Sequence, residues 1–195
     1  QLLDEATDVY PQNRELQELR LNAYTATGNV GDALAAYREQ VENNPENPIF
    51  RYNYGSLLLN DEQYEAAAEQ LERATELNPG NGDAFFNLGA AYVNQAASID
   101  DQISEIEERL REEEREATSD EEERLETLSD QRQELIEQSI PPFEQAYDLL
   151  DPSDQTYGSV CRELYRSYVL VERTEDASEL ESCFDDVEEE RPGMQ

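Results

Sequence analysis

Residues 51–81 read RYNYGSLLLNDEQYEAAAEQLERATELNPGN, and this stretch decides the fold. Its small and apolar residues recur at helical spacing, at Gly55, Leu58, Tyr64, Ala67, Leu71 and Ala74. Small Gly55 and Ala67 allow two antiparallel helices to approach closely. Pro79 ends the second helix because proline lacks a backbone N–H. The stretch therefore predicts a pair of antiparallel helices.

The pattern repeats every 34 residues. Three prolines mark the period, each followed two residues later by an asparagine: Pro11 and Asn13, Pro45 and Asn47, Pro79 and Asn81. The segments NAYTATGNVGDALAAYREQVENNPEN (22–47) and FFNLGAAYVNQ (85–95) carry small and aromatic residues at matched offsets. Because one helix pair cannot bury its own apolar faces, the pairs are expected to stack on one another.

These residues resemble the tetratricopeptide repeat, or TPR. The resemblance implies an all-α fold, a TPR-like right-handed superhelix of antiparallel helix pairs whose first helices line a concave groove. It also implies protein binding without catalysis, as an adaptor or scaffold.

The period also predicts the domain layout. Residues 1–13 are the second helix of a truncated repeat, 14–47 the first repeat, 48–81 the second, 82–154 the third, 155–190 a degenerate fourth or capping pair, and 191–195 a tail. Because the sequence opens on Gln1 rather than Met, a missing N-terminal segment is expected.

The third repeat is interrupted at 97–139 by a charged insertion with a regular apolar seam. The outgoing seam residues are Ile99, Ile103, Ile106 and Leu110, and the returning ones are Leu125, Leu128, Leu135 and Ile136. Thr118, Ser119 or Asp120 can cap a new helix between them. We expect a protruding antiparallel coiled-coil hairpin, about 30 Å long at 1.5 Å per residue. The alternative is a disordered acidic loop. Pro141 and Pro142 are expected to kink the returning helix or restart it at Ser139.

The chain also resembles a narrower group, uncharacterised bacterial TPR proteins with a helical insertion in one repeat. The likeness lies in FFNLGAAYVNQ (85–95), IPPFEQAYDLLDP (140–152) and ELYRSYVLVERTED (163–176). Cleaved signal sequences are common in that group. The resemblance therefore favours export or a periplasmic location over the cytoplasm, while the compartment stays open.

The composition is extremely acidic. The chain has 48 Asp and Glu against 14 basic residues, all Arg, and a net charge of −34. Such a surface is typical of extreme halophiles, since it holds water and cations at high salt and repels itself at low salt. The rival interpretation is an ordinary acidic protein with a basic partner, but the complete lack of Lys favours adaptation to the medium.

The same composition restricts function. Nucleic-acid binding is not expected, because no Arg cluster could contact phosphates. No apolar run approaches the about 20 residues that span a bilayer. Without His and Lys, and with no phosphate loop or EF-hand spacing, we expect no enzyme, no cofactor and no metal site.

Candidate binding residues lie where the resemblance places the groove. Three pairs are 34 residues apart, and one further asparagine belongs with them: Tyr52 and Phe86, Asn53 and Asn87, Asn60 and Asn94, and Asn22. Asn side chains can pair with the main chain of an extended peptide. The alternative is that Asn is frequent here for local reasons. Glu18 and Asp83 lie where a carboxylate-binding clamp would need positive charge.

Cys161 and Cys183 flank a turn predicted near Arg173 and Thr174, so they fall at the same level of an antiparallel pair. They form either a disulfide, if the protein is exported, or two buried free thiols.

Two hypotheses share the interaction class. The groove binds a peptide, or the hairpin at 97–139 pairs with a partner helix or with another copy of itself. The alternative is a structural or oligomerisation segment of a larger exported protein.

The acidic composition yields a testable prediction. Helix content measured by circular dichroism should rise as KCl is increased from about 0.1 M to about 3 M, because the Debye length falls from about 10 Å to below about 3 Å over that range. An unchanged spectrum would contradict a requirement for charge screening.

Overall fold

The computed structural model describes residues 2–10, 13, 15, 16, 19, 20, 23, 30–181 and 183. Within them it contains eight α-helices and no strand: α1 (Leu2–Val9), α2 (Val30–Asn43), α3 (Pro48–Asn60), α4 (Tyr64–Leu77), α5 (Gly82–Glu112), α6 (Ser119–Leu149), α7 (Tyr157–Leu170) and α8 (Thr174–Glu179). The predicted all-α fold class is confirmed. Residues 1–87 form one compact unit and residues 88–195 a second.

The first unit is built on the close approach of α3 and α4. A Cβ atom added to Gly55 would lie 2.6 Å from Cγ of Leu71, so the two helices can pack this tightly only with glycine at that position. Leu57, Ala67 and Leu71 are fully buried. Helix α2 adds Ala33 and Tyr37, which pack with Leu57 in one core cluster.

Two of the asparagines that follow a proline marker accept hydrogen bonds from the next few residues of the chain. Asn47 caps α3, because its Oδ1 accepts hydrogen bonds from the N–H groups of Ile49 (3.0 Å) and Phe50 (3.4 Å). The N–H of Leu16 donates to Oδ1 of Asn13 at 3.1 Å. The donor again lies three residues after the asparagine, as Phe50 does after Asn47. At Pro45 and Asn47, Pro-x-Asn therefore separates the end of α2 from the start of α3.

Two of the tight turns share a residue with left-handed backbone conformation. Glu62 and Glu172 both have a φ of 61°. In the residues that follow them, the N–H of Gln63 donates to the C=O of Leu58 at 2.9 Å, and the N–H of Arg173 donates to the C=O of Tyr168 at 2.8 Å. This left-handed cap satisfies the last carbonyls of the first helix and reverses the chain.

The second unit repeats the glycine contact across a long insertion. A Cβ added to Gly89 would lie 2.6 Å from the ring of Phe143, which is fully buried. Gly55 and Leu71 are 16 residues apart, whereas Gly89 and Phe143 are 54 residues apart. The additional residues are the extended ends of α5 and α6, so the insertion lies inside a helix pair. The repeat boundaries given above stay predictions.

The insertion is a helical hairpin and not a disordered loop. Its arms run antiparallel, because Arg132 on α6 pairs with Asp100 on α5 at 2.8 Å near the base. Arg109 on α5 pairs with Glu121 on α6 at 3.1 Å near the tip. The predicted seam residues are half-buried or buried along both arms, and the remaining surface of the arms is mostly exposed.

The hairpin tip is closed by a network centred on Glu121. Thr118 caps α6 and forms a capping box with Glu121, and Arg115 donates to both carboxylate oxygens at 2.7 and 2.9 Å. These hydrogen bonds hold the pKa of Glu121 far below its usual range, the Arg115 contribution being the largest. The tip is thus fixed by charge-assisted hydrogen bonds.

The expected restart of the returning helix at Ser139 is wrong. Helix α6 continues through Pro141 and Pro142 to Leu149. The Ser139 hydroxyl donates to the C=O of Ile136 at 2.7 Å and contacts the Ser167 hydroxyl at 3.1 Å. Burial of Pro142 and Phe143 in the core stabilises the helix despite the missing N–H groups.

The glycine contact predicts opposite outcomes for two alanine substitutions. Gly55→Ala should lower the free energy of unfolding by about 1–2 kcal/mol, because overpacking costs about 1–3 kcal/mol and helix propensity returns only part of it. Gly31→Ala is the control, since nothing lies within 4 Å of its added Cβ, and it should be neutral or slightly stabilising. Denaturant unfolding at high salt measures both, and equal effects would contradict the tight contact.

The tip network predicts a pH dependence. Because its folded pKa is depressed, the Glu121 carboxylate stabilises the tip above its unfolded pKa of about 4.3, and this contribution is lost as the pH falls through the folded pKa. At neutral pH, Glu121→Gln should therefore speed amide hydrogen exchange around residues 113–121. The difference should shrink in acid. Exposed Glu123→Gln is the control and should change little. Equal exchange in all three proteins would contradict the network.

Candidate functional site

Five of the predicted groove residues are described in the first unit. Tyr52 and Asn53 lie on α3, and Phe86 and Asn87 lie on the first turns of α5. Asn60, at the end of α3, is exposed. Asn22 lies outside the described residues. The structure thus brings the equivalent residues of two successive repeats into one compact unit.

A hydrogen-bond relay joins α3 to α5 at the centre of this group. The side-chain Nδ2 of Asn87 donates to Oγ of Ser56 at 2.9 Å, and the Ser56 hydroxyl donates to the C=O of Tyr52 at 2.8 Å. Ser56 is buried and Asn87 is half-buried. The Asn87 side chain thus uses its amide nitrogen to bind Ser56. Among the described residues, no group donates a hydrogen bond to Oδ1 of Asn87.

Asn53 is placed differently from expectation. It is only 1% exposed, whereas a groove residue should be open to a ligand. Among the described residues its Nδ2 finds no hydrogen-bond partner. An unpaired buried donor costs about 1–3 kcal/mol and requires an explanation. A ligand can reach this donor only after the side chain, or one beside it, has rotated.

The aromatic pair supplies apolar surface at the same place. Tyr52 and Phe86 are both half-buried, and both already interact with other residues. Each therefore presents part of a ring that is held in place by its neighbours. Rigid aromatic surface of this kind binds a ligand with little loss of side-chain entropy.

Asn94 fits the alternative that asparagine occurs at these positions for local reasons. It lies in the second unit, and its Nδ2 donates to the C=O of Ala90, one turn earlier in the same helix, at 2.8 Å. The amide is thus engaged by its own helix. For this position the structure favours a local role over ligand binding.

The described arginines of the first unit are all engaged. Arg51 donates to the C=O of Pro45 and to Gln70, and Arg73 donates to Glu46 and Glu76. Arg38 is hydrogen-bonded to the Tyr54 hydroxyl, which raises the pKa of its guanidinium. Arg20 is buried against Tyr37, Thr7 and Gln40. The described part of this unit thus offers no uncommitted cation to a carboxylate ligand.

Ser56 is the site residue that the sequence did not indicate. It stands in the run GSLLL next to Gly55, where a small residue suits close helix packing. The one signal was a hydroxyl inside an otherwise apolar run. Its partner Asn87 is 31 residues away, and that pairing follows only from the stacking of two repeats.

The two cysteines lie together in the second unit. Both are free thiols here, so the predicted disulfide is not closed; Cys161 is buried and Cys183 is half-buried. Burial, with a hydrogen bond to Cys183, raises the pKa of Cys161 to about 12. A disulfide under oxidising conditions stays a prediction.

Two kinds of site are absent from the residues that the structure describes. No helix among them is long and apolar enough to cross a membrane. No group of three or more Cys, Asp or Glu side chains among them is arranged to hold a metal ion.

Comparison with known proteins identifies the fold family. A family model of the tetratricopeptide repeat matches residues 1–48, 20–81 and 52–114, which together are more than half of the chain. No curated protein matches the sequence.

Solved structures of MamA, a TPR-like protein, superpose on the chain. MamA AMB-1 has a TM-score of 0.58 at 20% identity, with 98% of this chain and 81% of MamA covered. MamA from Desulfovibrio magneticus RS-1 has a TM-score of 0.56 at 20% identity, with 96% and 80% covered. At such low identity the likeness concerns the fold alone.

The family match and these structures confirm the predicted TPR fold. It is the fold of a protein-interaction scaffold, a class that is not typically catalytic. The chain belongs to the tetratricopeptide repeat family.

Proposed function

We propose that this chain is a non-catalytic adaptor that binds an extended peptide segment on α3 and the first turns of α5. The observation that carries the proposal is the relay from Asn87 through Ser56 to the Tyr52 carbonyl. It holds a polar amide half-buried with its oxygen uncommitted among the described residues. Such an amide is preorganised to accept a hydrogen bond from a peptide N–H.

Asn53, one repeat earlier, would supply the complementary group. Its Nδ2 is a donor without a partner among the described residues, and a peptide carbonyl would satisfy it. Packed helices lie about 8–10 Å apart, and an extended peptide rises about 3.3 Å per residue. The two asparagines would therefore contact peptide groups about three residues apart. Binding would require Asn53 to rotate toward the ligand.

Charge restricts the ligand. The net charge of −34 repels acidic segments, and the described arginines of the first unit are already engaged. An apolar or basic segment suits the half-buried rings of Tyr52 and Phe86, since Arg and Lys stems pack well on aromatic faces. A partner recognised through a terminal carboxylate is not expected.

The hairpin is a second candidate surface, supported by its fixed tip. Leu128 and Ile136 are buried, and the other seam residues are half-buried along the two arms. The apolar seam is thus largely used within the hairpin itself. A partner for this arm would therefore be recognised by charge, and pairing between two acidic copies is disfavoured.

A peptide-display selection tests the groove. Random linear peptides would be selected on the intact chain in multimolar KCl, and affinities would then be measured for the enriched sequences. We expect apolar or basic sequences. Asn87→Ala should weaken binding about tenfold, because about 1.4 kcal/mol of hydrogen bonding is lost. Phe86→Ala should weaken it further.

Asn94→Ala is the matched control, because its amide is engaged by its own helix, and it should leave the affinity within about twofold. If no peptide is enriched, or if Asn87→Ala and Asn94→Ala behave alike, the groove proposal fails. If binding is lost only when residues 98–138 are replaced by a short turn, the hairpin is the binding surface. Failure of both surfaces would favour a structural or oligomerisation segment of a larger protein.

A further inference from the structure

A cluster of two thiols and two tyrosines joins α6, α7 and the residue Cys183 beyond α8, all in the second unit. Cys161 lies on α7, Tyr157 begins that helix, Tyr147 lies on α6, and Cys183 follows α8. Cys161 is fully buried and Cys183 is half-buried. The cluster lies in a different part of the chain from the groove residues and is independent of the proposed peptide binding.

The contacts place the two thiols at the same pair of tyrosines. The Cys183 thiol lies 4.0 Å from the hydroxyl of Tyr147, and the rings of Tyr147 and Tyr157 are stacked with centroids 5.3 Å apart. Tyr157 lies one helical turn before Cys161 on α7, so both thiols lie at this pair of tyrosines. Two thiols held at one such site need only bring their sulfur atoms to about 2.05 Å to become a disulfide.

The two thiols differ in access. Burial of Cys161 keeps it protonated and away from solvent oxidants. Cys183 is half-buried and three residues beyond Leu180, so it is the thiol that an oxidant meets first. An accessible thiol beside a buried one is the arrangement of an attacking and a resolving cysteine.

We propose that Cys161 and Cys183 are a redox-responsive pair that closes an intramolecular disulfide. The Cys183 thiolate attacks a low-molecular-weight disulfide, forms a mixed disulfide and releases one small thiol. Cys161 then attacks the Cys183 sulfur and expels the second small thiol as a thiolate, which takes up the Cys161 proton. Two protein thiols are oxidised, and one small disulfide is reduced to two thiols.

The bond would fix one wall of a neighbouring cavity. A cavity of about 350 Å³ lies beside the cluster. Tyr147 and Asp148 of α6 and Leu164 and Tyr168 of α7 line it on one side, and Asp176, Glu179 and Leu180 line it on the other. Since Cys183 lies three residues beyond Leu180 of this second wall, the disulfide would fasten the end of α8 to α7. Oxidation therefore decides how firmly this wall is held.

Intact mass spectrometry tests the bond. The wild-type chain, Cys161→Ser and Cys183→Ser would be incubated folded, in multimolar KCl, with oxidised glutathione. They would then be unfolded in N-ethylmaleimide. We expect the wild type to lose two hydrogens and to carry neither glutathione nor maleimide. Cys161→Ser should carry one glutathione, because its mixed disulfide cannot be resolved. Cys183→Ser should carry one maleimide and no glutathione.

Three results would overturn the pair. They are a wild type that retains glutathione on Cys183 with Cys161 open to maleimide, a wild type that takes up two maleimides, and a disulfide-linked dimer. The wild-type result decides the matter even if a serine variant fails to fold.

Hydrogen exchange tests the effect on the wall. Oxidation should slow amide exchange in residues 174–181 at least about tenfold and raise Tm by about 5–10 °C, as expected for a cross-link that closes a loop of this length. Dithiothreitol should reverse both changes. Exchange that is the same in the oxidised and reduced proteins would overturn the claim that the bond holds the cavity wall.

Discussion

The structure depends on the close approach of two helices at a glycine. At Gly55 and again at Gly89, the absence of a Cβ lets a large apolar side chain, Leu71 or Phe143, lie directly against the facing helix. Only 37% of the residues are hydrophobic, and the net charge is −34. In a chain with so little apolar surface and so much self-repulsion, dense packing of the helix pairs must supply most of the stabilisation.

The same contact explains why the long insertion does not disrupt the fold. Gly89 and Phe143 still meet although 54 residues separate them, because the intervening chain folds on itself. The entropy cost of a longer loop grows slowly with its length, and the hairpin offsets part of that cost with its own seam and capped tip. The charged arms are therefore an ordered extension of one helix pair.

Much of this architecture could be predicted from the sequence. The 34-residue period indicated the helix pairs, and the seam from Ile99 to Leu110 indicated the hairpin because it continued a helical pattern already in phase. The burial of Asn53 could not be predicted, since the period shows that Asn53 and Asn87 are equivalent but not which of them faces solvent. The Ser56–Asn87 relay and the burial of Arg20 against Tyr37 both join residues distant in sequence. Both contacts depend on how the helices pack, which cannot be predicted from a local sequence pattern.

The most direct test of the central claim is an NMR titration of the side-chain amides with a peptide selected on the intact chain. Binding at the groove predicts that the Nδ2 resonances of Asn87 and Asn53 shift and broaden, while that of Asn94 stays in place. It also predicts that the backbone resonances of residues 97–139 are unchanged. Shifts confined to the hairpin, with Asn87 unaffected, would contradict the groove as the binding surface of this protein.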